Sequence, residues 1–412
     1  MKLLVFEFFS GGGFVEGELS GLIDEAYAML RCAVEDFQKA GFYVFTTLDH
    51  RIAEFNPSLK ANHVRVVYNS DSEVFRELLN EVDAAFLIAP ETGGVLCSLA
   101  VETVKSGVEL FSPLPSAIEL TADKSKLLEI AEKLGLNVPE HRVLETTSSF
   151  DEVGKIASNM GYPVVFKVLD GAGSEGMSLV RRSEEIPLAM EKIRSVSNRG
   201  LFLLEKFVEG IDASVSLVSN GETAFPLSLN SQSMRMKSPL EESKYEGGYV
   251  PLRHRLKDSA FEAAKTLVEN IEGLQGYVGV DLIISEDKVT ILEVNPRLTT
   301  SYLGLRRVLR QNVAKIISEA VTRKVLPPKT NFDGCAYFKK LEIPENIEID
   351  EEKFRKIARY QNLAAPPFPV KGKKNAILVV HSKNEELAKL EMEKMKRKII
   401  KELTGKESEV EQ

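Results

Sequence analysis

The sequence predicts a chain of mixed class, α/β at its start and α+β thereafter, closing in a small α+β extension. Three observations carry that reading. Residues 2–90 alternate β-rich apolar runs with helical stretches, which is the spacing of a parallel α/β layer. A hairpin-like stretch, GYVGVDLIISEDKVTILEVNPRLTT (276–300), lies in a second, α+β region running from about 140 to 325. Pro327 and Pro328 then open a third piece with strands and a helix of its own.

In order, residues 2–9 are expected as a strand and Ser10–Gly13 as a glycine-rich turn. A helix is expected from about Leu19 to Ala40, stopped by Gly41. Strands follow at 42–48 and 64–69, then a helix at 71–80 and a strand at 84–90. The loops Ser10–Gly13 and Pro90–Gly94 share one sheet edge, the kind of edge where open α/β folds bind ligands. A tight turn is the plainer reading of Gly11–Gly13, which is not a GxGxxG fingerprint. Next comes a small helical unit, TADKSKLLEIAEKLGLNVPEH, with Thr121 or Asp123 as N-cap and Gly135 as the stop. Residues 229–250, LNSQSMRMKSPLEESKYEGGYV, are polar and poorly periodic and read as a long loop of the lid or substrate-binding kind. The last piece reads as strand CAYFKKLEI, a short helix, the turn AAPPFPVKGKKN, strand AILVV and a Lys/Glu-rich surface helix to about 404. The expected domain bounds are 1–115, 116–210, 211–328 and 329–412.

Composition excludes several classes of function. The chain has 412 residues, enough for two or three domains. Its formal net charge of -8 offers no basic field for a nucleic-acid backbone. Cys32, Cys97 and Cys335 are scattered, with no CxxC pair, so neither a disulfide framework nor a zinc knuckle is expected. The histidines, His50, His63, His141, His254 and His381, show no HExxH spacing. The opening apolar run is short and interrupted by Glu7, so it reads as a strand rather than a signal peptide. No run approaches the length of a membrane span, and a cytoplasmic protein is expected.

The chemistry is concentrated in an ordered set of residues. In the hairpin, a three-residue loop at Glu286–Lys288 pairs Ser285 with Val289 and sets Asp281 opposite Glu293. Strand alternation puts Glu293 and Asn295 on one face, with Val289 and Ile291 behind them. Two carboxylates and an amide on one sheet face suit a hard cation that also grips phosphate, above all Mg²⁺. Arg297 follows, placed to fork onto a phosphate. Upstream, Lys124 starts a capped helix, and Lys167 lies in a strand, Val164 to Val168, that runs into a turn holding Gly171, Gly173, Ser174 and Gly176. Then come FLLEKFVEG (202–210) and Asp212. If the ligand is ATP, two lysines serve the phosphates and the glycine turn lays N–H groups along them. The 204–208 backbone can meet an adenine edge, and Glu209 or Asp212 the ribose. Each element alone has a bland reading: a surface lysine, a hairpin turn, a strand end.

Their order closely resembles the ATP-grasp superfamily over roughly residues 1–325. The resemblance implies an N-terminal Rossmann-like domain, a small central domain and a C-terminal grasp domain that clamps ATP between two sheets. It implies that Lys124 and Lys167 serve the nucleotide and that Gly171, Gly173, Ser174 and Gly176 form the mobile phosphate loop. It implies that Glu205, Lys206, Phe207 and Val208 form the adenine hinge and that Asp212 accepts from the ribose. Asp281, Glu293 and Asn295 would hold Mg²⁺ or Mn²⁺, and Lys167 and Arg297 would act catalytically by neutralising charge. Many members carry an arginine where this chain has Gly279; Arg297, Arg235 or Lys237 are the candidate replacements.

The implied reaction joins a small-molecule carboxylate to an amine through an acyl phosphate, with neither nucleic acid nor membrane as partner. A homodimer stays open. The opening LLVFEFFSGGG, YEGGYVPL (245–252) and the 273–302 run further resemble archaeal ligases that join tyramine to glutamate in methanofuran biosynthesis. Arg235, Arg253, Tyr245, Tyr249 and Tyr302 are then candidate lining residues, and Glu7 with Gly11–Gly13 a candidate part of the amine site. Another amino-acid or dipeptide ligase, or an ATP-binding regulator without catalysis, are the alternatives. The extension after 330 is not explained by the resemblance.

Overall fold

Strand Lys2–Glu7 is buried on both faces after its first residue, because helices cover both sides of its sheet. The structure, a computed structural model, describes residues 1–13, 22–69, 72–169, 171, 176–197, 199–368 and 374–405. The first sheet has five parallel strands in the order His63–Val67, Tyr43–Asp49, Lys2–Glu7, Ala84–Ile88, Glu109–Leu110. Leu3 and Val5 pack toward helix Ile23–Lys39, while Leu4 and Phe6 pack toward helices Ser72–Leu79 and Val95–Lys105. Alternation along one strand thus feeds two cores.

The central unit is a four-stranded antiparallel sheet in the order His141–Glu145, Leu201–Lys206, Val164–Val168, Ser178–Val180. Val164, Phe166, Val168, Phe202 and Leu204 face helices Phe150–Met160 and Ile186–Val196. Phe166 and Phe202 stack at 5.4 Å. Lys167 and Glu205 therefore fall on the other face of the sheet.

The third sheet has eight antiparallel strands in the order Val289–Asn295, Gln275–Ile284, Ile211–Asn220, Ala224–Arg235, Lys244–Val250, Cys335–Ile343, Lys374–Ser382, Leu363–Ala365. Two sequence expectations change here. Residues 229–250 are not a long loop: all but 236–243 belong to strands Ala224–Arg235 and Lys244–Val250. Their inward positions are polar, which hides the alternation. Ser228 donates to Asn230 at 2.6 Å, and the Asn230 amide reaches Ser216 at 2.9 Å and Ser214 at 3.2 Å. Inward polar groups are stable when satisfied in this way. The second change concerns the extension after 328, whose strands continue this same sheet. Gly247–Val250 pair with Ala336–Lys339 in antiparallel register.

The hairpin register is also corrected. Ile284, not Ser285, pairs with Val289, yet Asp281 still faces Glu293, because a bulge falls between Asp281 and Leu282 on one strand and Ile291 and Glu293 on the other. The bulge reverses the sidedness of the outer strand. Val289, Ile291 and Val294 all enter one apolar core, and Glu293 and Asn295 turn to the opposite face.

Candidate functional site

The three sheets enclose a cavity of about 1340 Å³. Lys124, Lys167, Gly171, Asp281, Glu293, Asn295 and Arg297 all line it. They arrive from a helix start, the central sheet and its following turn, and the edge hairpin of the large sheet. Asp123 caps helix Lys124–Lys133 by accepting from the Lys126 N–H, which fixes Lys124 in the first turn. Thr121 instead bonds back to Ala117 within the preceding helix. The Lys124 ammonium donates to the Gly171 carbonyl at 2.9 Å and lies 3.2 Å from Glu293. It therefore ties the glycine turn of the central sheet to the carboxylates of the large sheet.

Asp281 and Glu293 face each other across the bulge. The Asn295 amide donates to one Asp281 oxygen at 3.0 Å and the Gln232 amide to the other at 2.9 Å. Burial, then the charge of Glu293, raises the Asp281 carboxyl far above its ordinary range. Burial would raise Glu293 too, but Lys124 and Lys167 outweigh it and hold that carboxylate low. The two carboxyls thus titrate as one unit, with Asp281 pushed up and Glu293 held down. A divalent cation between them would offset their mutual repulsion, and two carboxylates with a carboxamide oxygen form the all-oxygen donor set a hard cation takes. Among the described residues no set of three or more His, Cys, Asp or Glu converges to hold a metal, so the carboxylate pair would rely on Asn295 for its third protein ligand.

On the central sheet, Lys167 pairs in register with Leu203, and its ammonium reaches diagonally to Glu205 at 2.6 Å. Glu205 is thus a partner of Lys167, and its second oxygen is buried without a hydrogen bond. Lys206 turns away to donate to the Gly161 carbonyl, and the Phe207 N–H donates to Pro163 at 3.1 Å. Burial raises the Asp212 carboxyl to about 6, against the pull of Lys167. Glu205, Lys206, Phe207, Val208, Asp212 and Gly176 do not line the cavity. Gly173 and Ser174 lie outside the described residues.

Arg297 reaches into the N-terminal domain. Its guanidinium lies 3.0 and 3.1 Å from the two oxygens of Glu91, in the loop after strand Ala84–Ile88. The other candidate cations are paired as well, Arg235 with Glu246 at 3.0 Å and Lys237 with Glu241 at 2.8 Å. At Gly279 there is no room for an arginine: a Cβ there would lie 2.5 Å from the Thr299 methyl group.

Of the remaining candidates, Glu7, Tyr245 and Arg235 line the cavity, and Arg253, Tyr249 and Tyr302 do not. Tyr302 is buried in the core and donates to Asp36, and Tyr249 stacks on Tyr337 at 5.2 Å. Gly11–Gly13 stay outside the cavity as well. Gly11 is a packing residue, since a Cβ there would meet the Glu7 carbonyl at 2.2 Å. Glu91, Gln232, Glu25 and Lys340 were not singled out from the sequence. A polar residue two positions before the Met234–Arg235 pair was the one available signal for Gln232.

The first comparison with known proteins decides the family. An ATP-grasp domain family matches residues 121–301, and a pre ATP-grasp 3 domain family matches residues 42–118. The chain belongs to the ATP-grasp superfamily. Its enzyme class follows: an ATP-grasp ligase that forms carbon–nitrogen bonds. A tyramine–L-glutamate ligase of Methanocaldococcus fervens is 29% identical over 311 residues, covering 74% of this chain and 89% of that one. The corresponding ligase of Methanocaldococcus jannaschii is 43% identical over 105 residues, 26% of this chain and 32% of that one.

Two solved ATP-grasp structures share the fold. Biotin carboxylase of Campylobacter jejuni has a TM-score of 0.72 at 14% identity, covering 95% of this chain and 90% of that one. N5-carboxyaminoimidazole synthase of Aspergillus clavatus has a TM-score of 0.70 at 18% identity, covering 97% and 98%. At these identities the likeness concerns the fold alone. It does span the strands after residue 328, which the family match leaves out. Among the described residues no helix is long and apolar enough to cross a membrane.

Proposed function

We propose that this ATP-grasp ligase joins the γ-carboxylate of glutamate to tyramine through an acyl phosphate formed with ATP. One observation supports the chemistry most: Lys124 meets Glu293 of the large sheet at 3.2 Å, and Lys167, paired with Glu205 on the central sheet, lies within electrostatic reach of the same carboxylate, with Lys124, Lys167, Asp281 and Glu293 all lining one cavity. Phosphoryl transfer asks for that arrangement, with positioned cations and little covalent help. Asp281, Glu293 and Asn295 are the residues that hold Mg²⁺ or Mn²⁺ in this reading. The bound metal supplies charge neutralisation at the phosphate oxygens.

Lys124 and Lys167 exchange their present carboxylate partners for phosphate oxygens. Gly171, whose carbonyl already holds Lys124, marks where the glycine turn meets them in this reading. The strand end Glu205, Lys206, Phe207 and Val208 takes the adenine edge, and Asp212 the ribose. Arg297, fixed by Glu91, supports charge on the acyl phosphate. The choice of acid and amine rests on the two tyramine–L-glutamate ligases alone. Leu22, Ala26, Met29, Ile88 and Phe9 add an apolar wall suited to an aryl amine.

The test is phosphate release with ATP and Mg²⁺ over a panel of acids and amines, with products weighed by mass spectrometry. The reading expects release that needs both glutamate and tyramine and yields their amide. Release with a different pair keeps the ligase and discards these substrates. ATP binding with no release for any pair would contradict catalysis altogether.

A further inference from the structure

A second charged patch lies in the same cavity and is not used by the phosphoryl chemistry. Glu25, in the first turn of helix Ile23–Lys39, meets Lys340 of strand Cys335–Ile343 at 3.2 Å. Both line the cavity, and their side chains are only 15% and 20% exposed. The Thr300 hydroxyl donates to the other Glu25 oxygen at 3.4 Å. Tyr245 lies within electrostatic reach of both Glu25 and Asp281, which connects this patch to the carboxylate pair. Asn375 lines the cavity nearby, held by its donation to Asp24 at 3.3 Å. Lys340 and Asn375 both lie past residue 301, where the ATP-grasp match ends.

Such a pair selects its ligand by charge. A ligand with one charge would pair with Glu25 or Lys340 and leave the other largely buried and unpaired, which is strongly unfavourable. A zwitterion replaces one ion pair with two and leaves no charge over. We propose that Glu25 and Lys340 are specificity residues for the α-amino-acid head of the acid substrate. Lys340 takes the α-carboxylate; Glu25, with Thr300 on its second oxygen, takes the α-ammonium. The side-chain carboxylate is then free to reach toward Lys124 and Glu293. This inference rests on the reading that the acid is an amino acid such as glutamate.

Calorimetric titration tests it, using the full chain with Mg²⁺ and a non-hydrolysable ATP analogue. The three probes are L-glutamate, glutarate (no α-ammonium) and 4-aminobutyrate (no α-carboxylate). The wild type is expected to bind L-glutamate about tenfold or more tighter than either analogue. Lys340→Met is expected to lose that preference over 4-aminobutyrate, and Glu25→Gln to lose it over glutarate. If a single variant unfolds because it leaves one charge unpaired, the double variant Lys340→Met/Glu25→Gln leaves none and is expected to lose both preferences.

Equal weakening of all three probes, or unchanged preferences, would overturn the assignment and make the pair a staple between helix and strand. Failure of the wild type to bind L-glutamate overturns it as well. A glutamyl amide product alongside unchanged preferences sinks this inference while the ligase reading stands. A product built from a different acid sinks that reading instead.

Discussion

Asp281 and Glu293 form one titrating unit, and that determines what their replacement does. Burial and the charge of Glu293 raise the Asp281 carboxyl, so its neutral form is the one the fold favours. Asp281→Asn therefore resembles the protonated state, and its melting temperature is expected to match the wild type. Its phosphate release is expected to fall about 100-fold or more, because the proposed reading makes Asp281 a metal ligand. A calorimetric scan beside a phosphate assay separates the two effects. Asp24 gives a pH signature. Burial raises its carboxyl to about 7, while Asn375 and Lys340 pull the other way. A folded pKa above the unfolded one means that the folded chain holds a proton the unfolded chain has lost. Stability therefore falls as pH rises from about 4 to 7, and the penalty is complete above that. Asp24→Asn removes the titration, so its melting temperature is expected to gain on the wild type between pH 5 and pH 8 and to show no such gain below pH 4.

Elements differ in how openly the sequence displays them. The parallel layer was legible because residues such as Leu3, Leu4, Val5 and Phe6 are apolar on both faces. The strand after Ala224 was not, because Ser228 and Asn230 fill core-facing positions, bonded to each other along the strand and, from Asn230, to Ser216 on the next. The opposition of Asp281 and Glu293 was legible, but the bulge that produces it was not, since Leu292 gives no local sign of being the extra residue. Lys124, Lys167, Glu293 and Asn295 could be picked out by type and order. The partners Glu91 and Gln232 could not, because they reach the site from distant stretches of chain. Gly279 belongs to the same scale. Gly279→Ala would push a methyl group against Thr299 and is expected to cost about 1–3 kcal/mol in a denaturant melt. Adding Thr299→Ser removes the opposing methyl and keeps the hydroxyl that meets Tyr277 and Ser301, so it should restore most of the loss. No rescue would mean that glycine is required there for another reason.

Across the whole molecule, the extension is structural as well as a wall of the cavity. Phe338, Ile343, Phe354 and Phe368 share a core with Leu3 and Tyr27, and the Tyr27 and Phe368 rings lie 5.1 Å apart. Truncation after residue 330 would bare that core and the edge of strand Lys244–Val250. The expected product is aggregated protein on size exclusion; a soluble, folded fragment would contradict the continuous sheet. The Arg297–Glu91 pair likewise joins the large sheet to the N-terminal layer at the cavity wall. In the proposed reaction this wall activates a carboxylate as its acyl phosphate. Glutamate labelled with ¹⁸O in its side-chain carboxylate tests it most directly, with ATP, Mg²⁺ and tyramine present and the phosphate analysed by mass. One ¹⁸O is expected in each inorganic phosphate released per amide formed. Unlabelled phosphate, or label appearing in AMP, would contradict it.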